Sequence, residues 1–296
     1  MVMTATAGRF IARHDTGCDA AFLAERLEAE ERLFDNAWRH LAARPVNIAS
    51  MYRRALDAAG WRAALAPDDP RLHRDLQRAV RCACAMAEMA DPGPGLVAVD
   101  VGLGAPVEVP RLNVNDVFNP DHLRQALFAA IVCRDQRAID TLCRVDVRRL
   151  ATPGAIVDDY AFTFVEFLQG LLTQAPWAGN KLVQALNETD PAVLKTGNVD
   201  YALYIAVGEI DAFYGLGSPD VTVFNEKLAA ALERHKRFYE AIEVNPGESQ
   251  RNDPRGFIAM GPLAATALAH DHGRTITVKS DYLPAGLVTG RFAAGT

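Results

Sequence analysis

Long apolar runs are missing from this sequence. Its 296 residues nowhere reach the ~18 consecutive apolar positions that a membrane-spanning helix needs. The longest near-apolar run, Phe257 to Ala269, has the length of a buried core helix. The first residues, MVMTATAGRFIARHD, hold no apolar signal core, so the expected location is the cytoplasm, with no membrane partner. Basic charge is scarce as well: 31 Lys plus Arg against 37 Asp plus Glu leave a net charge of −6. Coating nucleic acid needs clustered Lys and Arg, so direct nucleic-acid binding is not expected. Cysteines number five, Cys18, Cys82, Cys84, Cys133 and Cys143, an odd set without CxxC spacing. They read as reduced thiols, mostly small core residues, rather than as a disulfide framework or a zinc site.

What is present is ordinary globular composition, 50% hydrophobic and 23% charged, which argues against disorder. Residues 1–18 carry no periodic pattern and read as a flexible tail. Asp19 then has the chemistry of an N-cap, and Leu23, Leu27, Phe34, Trp38 and Leu41 form one apolar stripe, with Glu25, Glu28, Glu30 and Glu31 expected in water. Pro45 can open a second helix. Asp69-Pro70 is a start signal for a third, which Asp91-Pro92-Gly93-Pro94-Gly95 stops. The period then changes: Val97, Val99 and Val101 alternate, Gly102-Leu103-Gly104 turns, and Val107 and Val109 alternate again, which predicts a β-hairpin over 96–110.

Helical spacing returns after Asn119-Pro120 and continues in segments that begin near Asp158 or Asp159, Trp177, Asp200, Asp220 and Asp253. The Asp220 segment places Phe224, Leu228, Ala231, His235, Phe238 and Ile242 on one face, and the Asp253 segment is expected to kink or restart at Gly261-Pro262. Gly273 suits a C-cap, and Thr275 to Lys279 reads as a short strand able to join the hairpin. The expected fold is mostly α: antiparallel helical hairpins in an array or bundle, with a small antiparallel sheet. One domain over 19–290 is expected, with lobes at 19–110 and 111–290 as its natural subdivision.

Candidate chemistry is thin. Leu96-Val-Ala-Val-Asp-Val-Gly-Leu-Gly resembles the opening of a dinucleotide site, but a strand rather than a helix follows it, so the phosphates would meet no helix N-terminus. His270-Asp271-His272 lacks the spacing that puts two imidazoles on one helix face, and suits a helix C-terminus instead. His235, on an apolar face, reads as a core histidine with a satisfied hydrogen bond rather than a general base. Asp158, Asp159 and Glu166 read as a solvated helix face, Cys133 as packing, and the run Arg234, Lys236 and Arg237 as charge suited to the second half of its helix. Neither a GxSxG elbow nor an HExxH pair occurs. No catalytic residue, metal ligand or cofactor site is assigned.

More identity lies in four landmarks: the stretch Phe224-Asn-Glu-Lys-Leu-Ala-Ala-Ala-Leu-Glu-Arg-His-Lys-Arg-Phe-Tyr239, the stretch Asp253-Pro-Arg-Gly-Phe-Ile-Ala-Met-Gly-Pro-Leu-Ala264, then Ser280-Asp281-Tyr282-Leu283-Pro284, and Cys133-Arg134-Asp135 with Leu142-Cys143. In order and spacing these resemble the immunity protein 49 family of bacterial polymorphic toxin systems, from about Asp19 to Gly290. The sequence departs from that pattern at Lys279, where an acidic residue is expected, and at Ala285-Gly286, where a bulkier pair is expected. The resemblance implies a cytoplasmic, non-enzymatic antitoxin that binds a cognate toxin domain and blocks it stoichiometrically. A non-enzymatic helical adaptor or scaffold with a cellular partner is the alternative. The net charge of −6 favours a basic, nuclease-like toxin. Asp271, Asp281 and Tyr282 are the candidate toxin contacts, an aromatic anchor with a carboxylate rim. The other reading of the same residues has Tyr282 closing the core and Asp281 capping its turn.

Overall fold

Asp19 sets the first helix: its carboxylate accepts from the Phe22 N–H at 2.8 Å, and α1 runs Ala20–Arg39. The computed structural model describes residues 8–91, 93–112, 118–151, 154–241, 243–245 and 248–292. Helix α2 (Asn47–Leu65) packs on α1 and on α3 (Arg71–Ala90), so the first three helices form a run of antiparallel neighbours. The strands β2 (Leu96–Val99) and β3 (Val107–Pro110) follow as an antiparallel hairpin, with Val97 opposite Val109. Gly102 and Gly104 turn it with φ of +76° and +117°, angles that favour glycine.

Asn119 and Pro120 open α4 (Pro120–Cys133) as expected, the Asn119 side chain accepting from His122 N–H. This helix is apolar around most of its circumference, and every residue from Ala126 to Cys133 is buried. It is therefore a central helix, touching α3, α5 (Gln136–Cys143), α6 (Asp159–Leu172) and α10 (Met260–Asp271). Helix α7 (Ala178–Asn187) folds back on α6. Residues Tyr201–Ala206 are π-helical and run directly into α8 (Val207–Gly217), which pairs with α9 (Val221–Ala241). On α9, Phe224, Leu228, Ala231, His235 and Phe238 are buried together as the spacing predicts, while Ile242 lies outside the described residues. The short strands β4 (Glu243–Asn245) and β5 (Glu248–Ser249) form a small ladder.

The Asp253 segment is a 3-10 turn, Pro254–Gly256, and α10 starts anew at Met260. Pro262 falls in the first turn of α10, where its missing N–H has no intrahelical partner to lose. Gly273 ends that helix at φ +69°, with the N–H of Gly273 on His270 O and that of Arg274 on Ala269 O. A four-residue helix, α11 (Ala285–Val288), comes last.

Two expectations need correction. The late strand β6 (Val278–Ser280) does not join the hairpin: it pairs in parallel with β1 (Arg9–Ile11), Ile11 opposite Ser280. Residues 8–18 are accordingly no loose tail, since Ile11 is 3% and His14 3% exposed. Three amide groups in β1 form too short a pattern to signal a strand locally, and their partner is about 270 residues away. One contiguous apolar cluster contains residues from Ile11 to Leu287, drawn from both the 19–110 and 111–290 stretches.

Candidate partner-binding cleft

A cleft of about 910 Å³ lies between α2, the start of α4, the 156–161 segment, the π-helical turn and the 253–260 turn. Local spacing explains which side chains reach it. Tyr52 and Leu56 are one turn apart on α2, as are Arg53 and Asp57. Tyr201, Ile205 and Glu209 recur every four residues across the junction of the π turn with α8 and face the cleft together.

Arg124 stands at the centre. Its side chain is 1% exposed; Nη2 donates to Tyr201 Oη at 2.7 Å and lies 3.3 Å from Asp121 Oδ1, and Nη1 lies 3.3 Å from Glu209 Oε2. The Glu209 side chain is itself only 6% exposed. The Arg124 Nε and Nη1 and the Glu209 Oε2 are buried without a hydrogen-bond partner among the described residues, the ion-pair contact being off hydrogen-bond geometry. Burial pushes the Glu209 carboxyl up to about 7 against the opposing pull of Arg124. The neighbouring carboxylates hold Arg124 firmly cationic although burial opposes its charge.

Towards the rim, Arg54 Nη1 donates to Glu30 Oε2 at 2.8 Å, and Arg255 Nε donates to both oxygens of Asp253 at 3.0 Å. Between these pairs sits Asp57, half-buried, with neither a hydrogen bond nor an ion pair among the described residues. Burial, then the charges of Glu30 and Asp253, push its carboxyl up to about 6. Arg53 and Ile156 are exposed at the rim, Ile156 at 69%. Tyr52, Tyr160, Tyr201 and Tyr239 complete a lining rich in tyrosine, arginine and carboxylate.

Sequence reasoning missed this cleft. It expected Glu30 in water, whereas Glu30 is 3% exposed and paired with Arg54; Glu31 is likewise engaged, by Arg62 at 2.6 Å. It read Asp158 as part of a solvated helix face, whereas Asp158, at the N-cap position of α6, is buried and its carboxylate accepts from Lys195 N–H, Thr196 N–H and Thr196 Oγ1. A signal was there: Arg124 and Glu209 are charges beside apolar helical runs, Ala126–Cys133 after one and Ile205–Gly208 before the other. Such charges are rarely buried unless paired.

The residues proposed from sequence lie elsewhere. Asp271, 40% exposed at its side chain, is held by Arg134, whose Nε and Nη2 donate to its two oxygens at 3.1 Å. Asp281 is exposed, and its Oδ2 accepts from Arg13 N–H. Tyr282 is 0% exposed, so it offers a partner no surface and closes the core as the other reading has it. His235 is 7% exposed with Nε2 2.9 Å from the Gly256 carbonyl; burial drives it down to about 4 and keeps it neutral. Among the other residues weighed, His272 Nδ1 returns to Leu268 O at the end of α10, and Cys133 is buried with its thiol pushed up by desolvation. Among the described residues, no group of three or more His, Cys, Asp or Glu is placed to hold a metal ion. No helix among them is long and apolar enough to cross a membrane.

These elements define a mostly α-helical protein with a cleft that carries paired and unpaired charges. The family model of immunity protein 49 matches residues 51–287, and the chain belongs to that family. Searches of curated proteins and of solved structures return no significant match. Apart from Arg26 and Glu30, all the cleft-lining residues fall within the matched stretch.

Proposed function

We propose that this protein is the antitoxin of a bacterial polymorphic toxin system: it binds the cognate toxin domain in the cytoplasm and blocks it by occupancy, converting nothing itself. The family match over 51–287 carries this reading. A stoichiometric blocker must bind tightly and quickly, and opposite charge speeds association. The net charge of −6 suits a basic toxin of the nuclease kind. The cleft supports the same reading, since Tyr and Arg are the residue types that most often anchor protein interfaces.

Co-expression with the toxin domain encoded by the adjacent gene tests it. The expected result is restored growth and a one-to-one complex on copurification. Continued killing at equal expression, with no complex formed, overturns the proposal; so does protection that needs only catalytic amounts of the protein.

A further inference from the structure

The polar groups that the cleft leaves unmet fall in two places. At its floor, the Arg124 donors Nε and Nη1 and the Glu209 acceptor Oε2 have no hydrogen-bond partner among the described residues, on side chains only 1% and 6% exposed. Buried groups left unmet are unfavourable, so a bound group that meets them is favoured. A donor and an acceptor side by side fit an amide, whose C=O accepts from Arg124 and whose N–H donates to Glu209 once the side chains that cover these atoms shift aside on binding. Nearer the rim, Asp57 has no ion pair or hydrogen bond among the described residues, whereas its neighbours Glu30 and Asp253 are paired directly with Arg54 and Arg255.

The lining holds five arginines (Arg26, Arg53, Arg54, Arg124, Arg255) against six carboxylates (Glu30, Asp57, Asp121, Asp158, Glu209, Asp253), so it carries no excess of positive charge. A free anion does not suit it, because Arg124 is already flanked by Glu209 and Asp121. A divalent cation does not suit it either, because two of the three rim carboxylates are held by arginines. A peptide with a basic side chain beside an amide meets both unmet places at once.

We propose that this cleft receives a loop of the toxin, with a Lys or Arg side chain of that loop paired to Asp57 and an amide of the loop seated over Arg124 and Glu209. The inference rests on the toxin-binding reading above and names the surface and the partner chemistry. Ile156, exposed at the rim, adds apolar contact around the charge pair and helps exclude water from it.

The test uses the full-length protein and an inactivated form of the toxin domain encoded by the adjacent gene, with affinity measured by calorimetry and folding by thermal melting. Asp57→Asn and Ile156→Asp each weaken binding at least tenfold with the melting transition retained, while Glu226→Gln, exposed on α9 away from the cleft, leaves affinity unchanged. Hydrogen exchange on the wild-type complex reads the same surface without any variant: amides of residues 52–57, 121–125 and 254–258 gain protection on binding. If the wild type binds but Asp57→Asn and Ile156→Asp bind as tightly and protection falls on another face, the inference fails and the antitoxin reading stands. If the wild type neither binds nor protects, both fall.

Discussion

The hydroxyl of Tyr282 accepts a hydrogen bond from the main-chain N–H of His14 at 2.9 Å and donates one to His14 Nδ1 at 2.8 Å. The direction follows from the other ring nitrogen: Nε2 lies 3.0 Å from the Arg251 carbonyl, which only accepts, so Nε2 carries the proton and Nδ1 the lone pair. One phenol thus fastens the N-terminal strand segment to the C-terminal core. Burial lowers the proton affinity of His14, which keeps this tautomer neutral.

Tyr282→Phe removes that hydroxyl and leaves a buried N–H and a buried imidazole nitrogen unmet. A loss of about 1–3 kcal/mol in urea unfolding is expected, together with faster hydrogen exchange in residues 9–14. Affinity for the toxin is expected to be unchanged, because Tyr282 has no exposed surface. Wild-type stability in this variant would show that water replaces the hydroxyl.

Arg62 plays a comparable part among the first three helices. Its guanidinium is 1% exposed and bonds Asp75 through Nε at 2.6 Å, Asp69 through Nη1 at 3.3 Å and Glu31 through Nη2 at 2.6 Å. Arg62→Ala leaves the buried carboxylate of Asp75 with only the 3.6 Å contact of the half-exposed Arg74, and about 3 kcal/mol of stability is lost. Arg62→Met combined with Asp75→Leu removes both charges, and equilibrium unfolding should show most of that loss recovered.

Features set by local chemistry were legible in the sequence, and those set by distant partners were not. The Asp19 cap, the Asn119-Pro120 start, the Gly273 stop and the hairpin at 96–110 each depend on residues within one turn or one hairpin, so spacing and side-chain type identify them. Glu30 and Glu31 sit off the apolar stripe of α1 and look solvated, because Arg54 and Arg62, which cover them, belong to the next helix. The cleft gathers residues near 52–57, 121–125, 156–161, 201–209 and 253–260, and no one of these segments carries a chemical motif. Tyr282 could be read either as anchor or as core; burial against His14 decides for core.

Acidification should expose two opposed titrations. His235 is driven from an ordinary 6.5 down to about 4, so below pH ~6.5 the unfolded chain binds more protons and stability is lost as pH falls through that window. Glu209 is pushed from 4.5 up to about 7, so between these values the folded chain holds the extra proton, and its contribution grows as pH falls. The two shifts are similar in size and opposite in sign. In Glu209→Gln the compensating part is gone. Its stability should fall more steeply than wild type between pH 7 and pH 4.5, by about 3 kcal/mol over the window, whatever its value at neutral pH. Parallel curves for the two proteins would show that Glu209 is not raised.

Gly60 governs how closely α2 approaches the turn that carries Asp253 and Arg255. A Cβ at this position would lie 2.1 Å from the Pro254 carbonyl oxygen, a contact with main chain that no rotamer change relieves. The helical backbone accepts alanine readily, and in the absence of that contact Gly60→Ala would stabilise α2 by about 0.5–1 kcal/mol. With it, the Pro254–Gly256 turn must move, which separates Arg255 and Asp253 from the Asp57 side of the cleft and breaks the His235 bond to Gly256 O. A net loss of about 1–3 kcal/mol is therefore expected in thermal or urea unfolding. Because the displaced turn forms one wall of the cleft, weaker toxin binding should accompany the lost stability. Asp253→Asn, which keeps the close approach and loses one acceptor for Arg255, serves as the comparison: it should lose less stability than Gly60→Ala does. A Gly60→Ala protein as stable as wild type would show that the turn yields without cost and that the approach of α2 does not fix it.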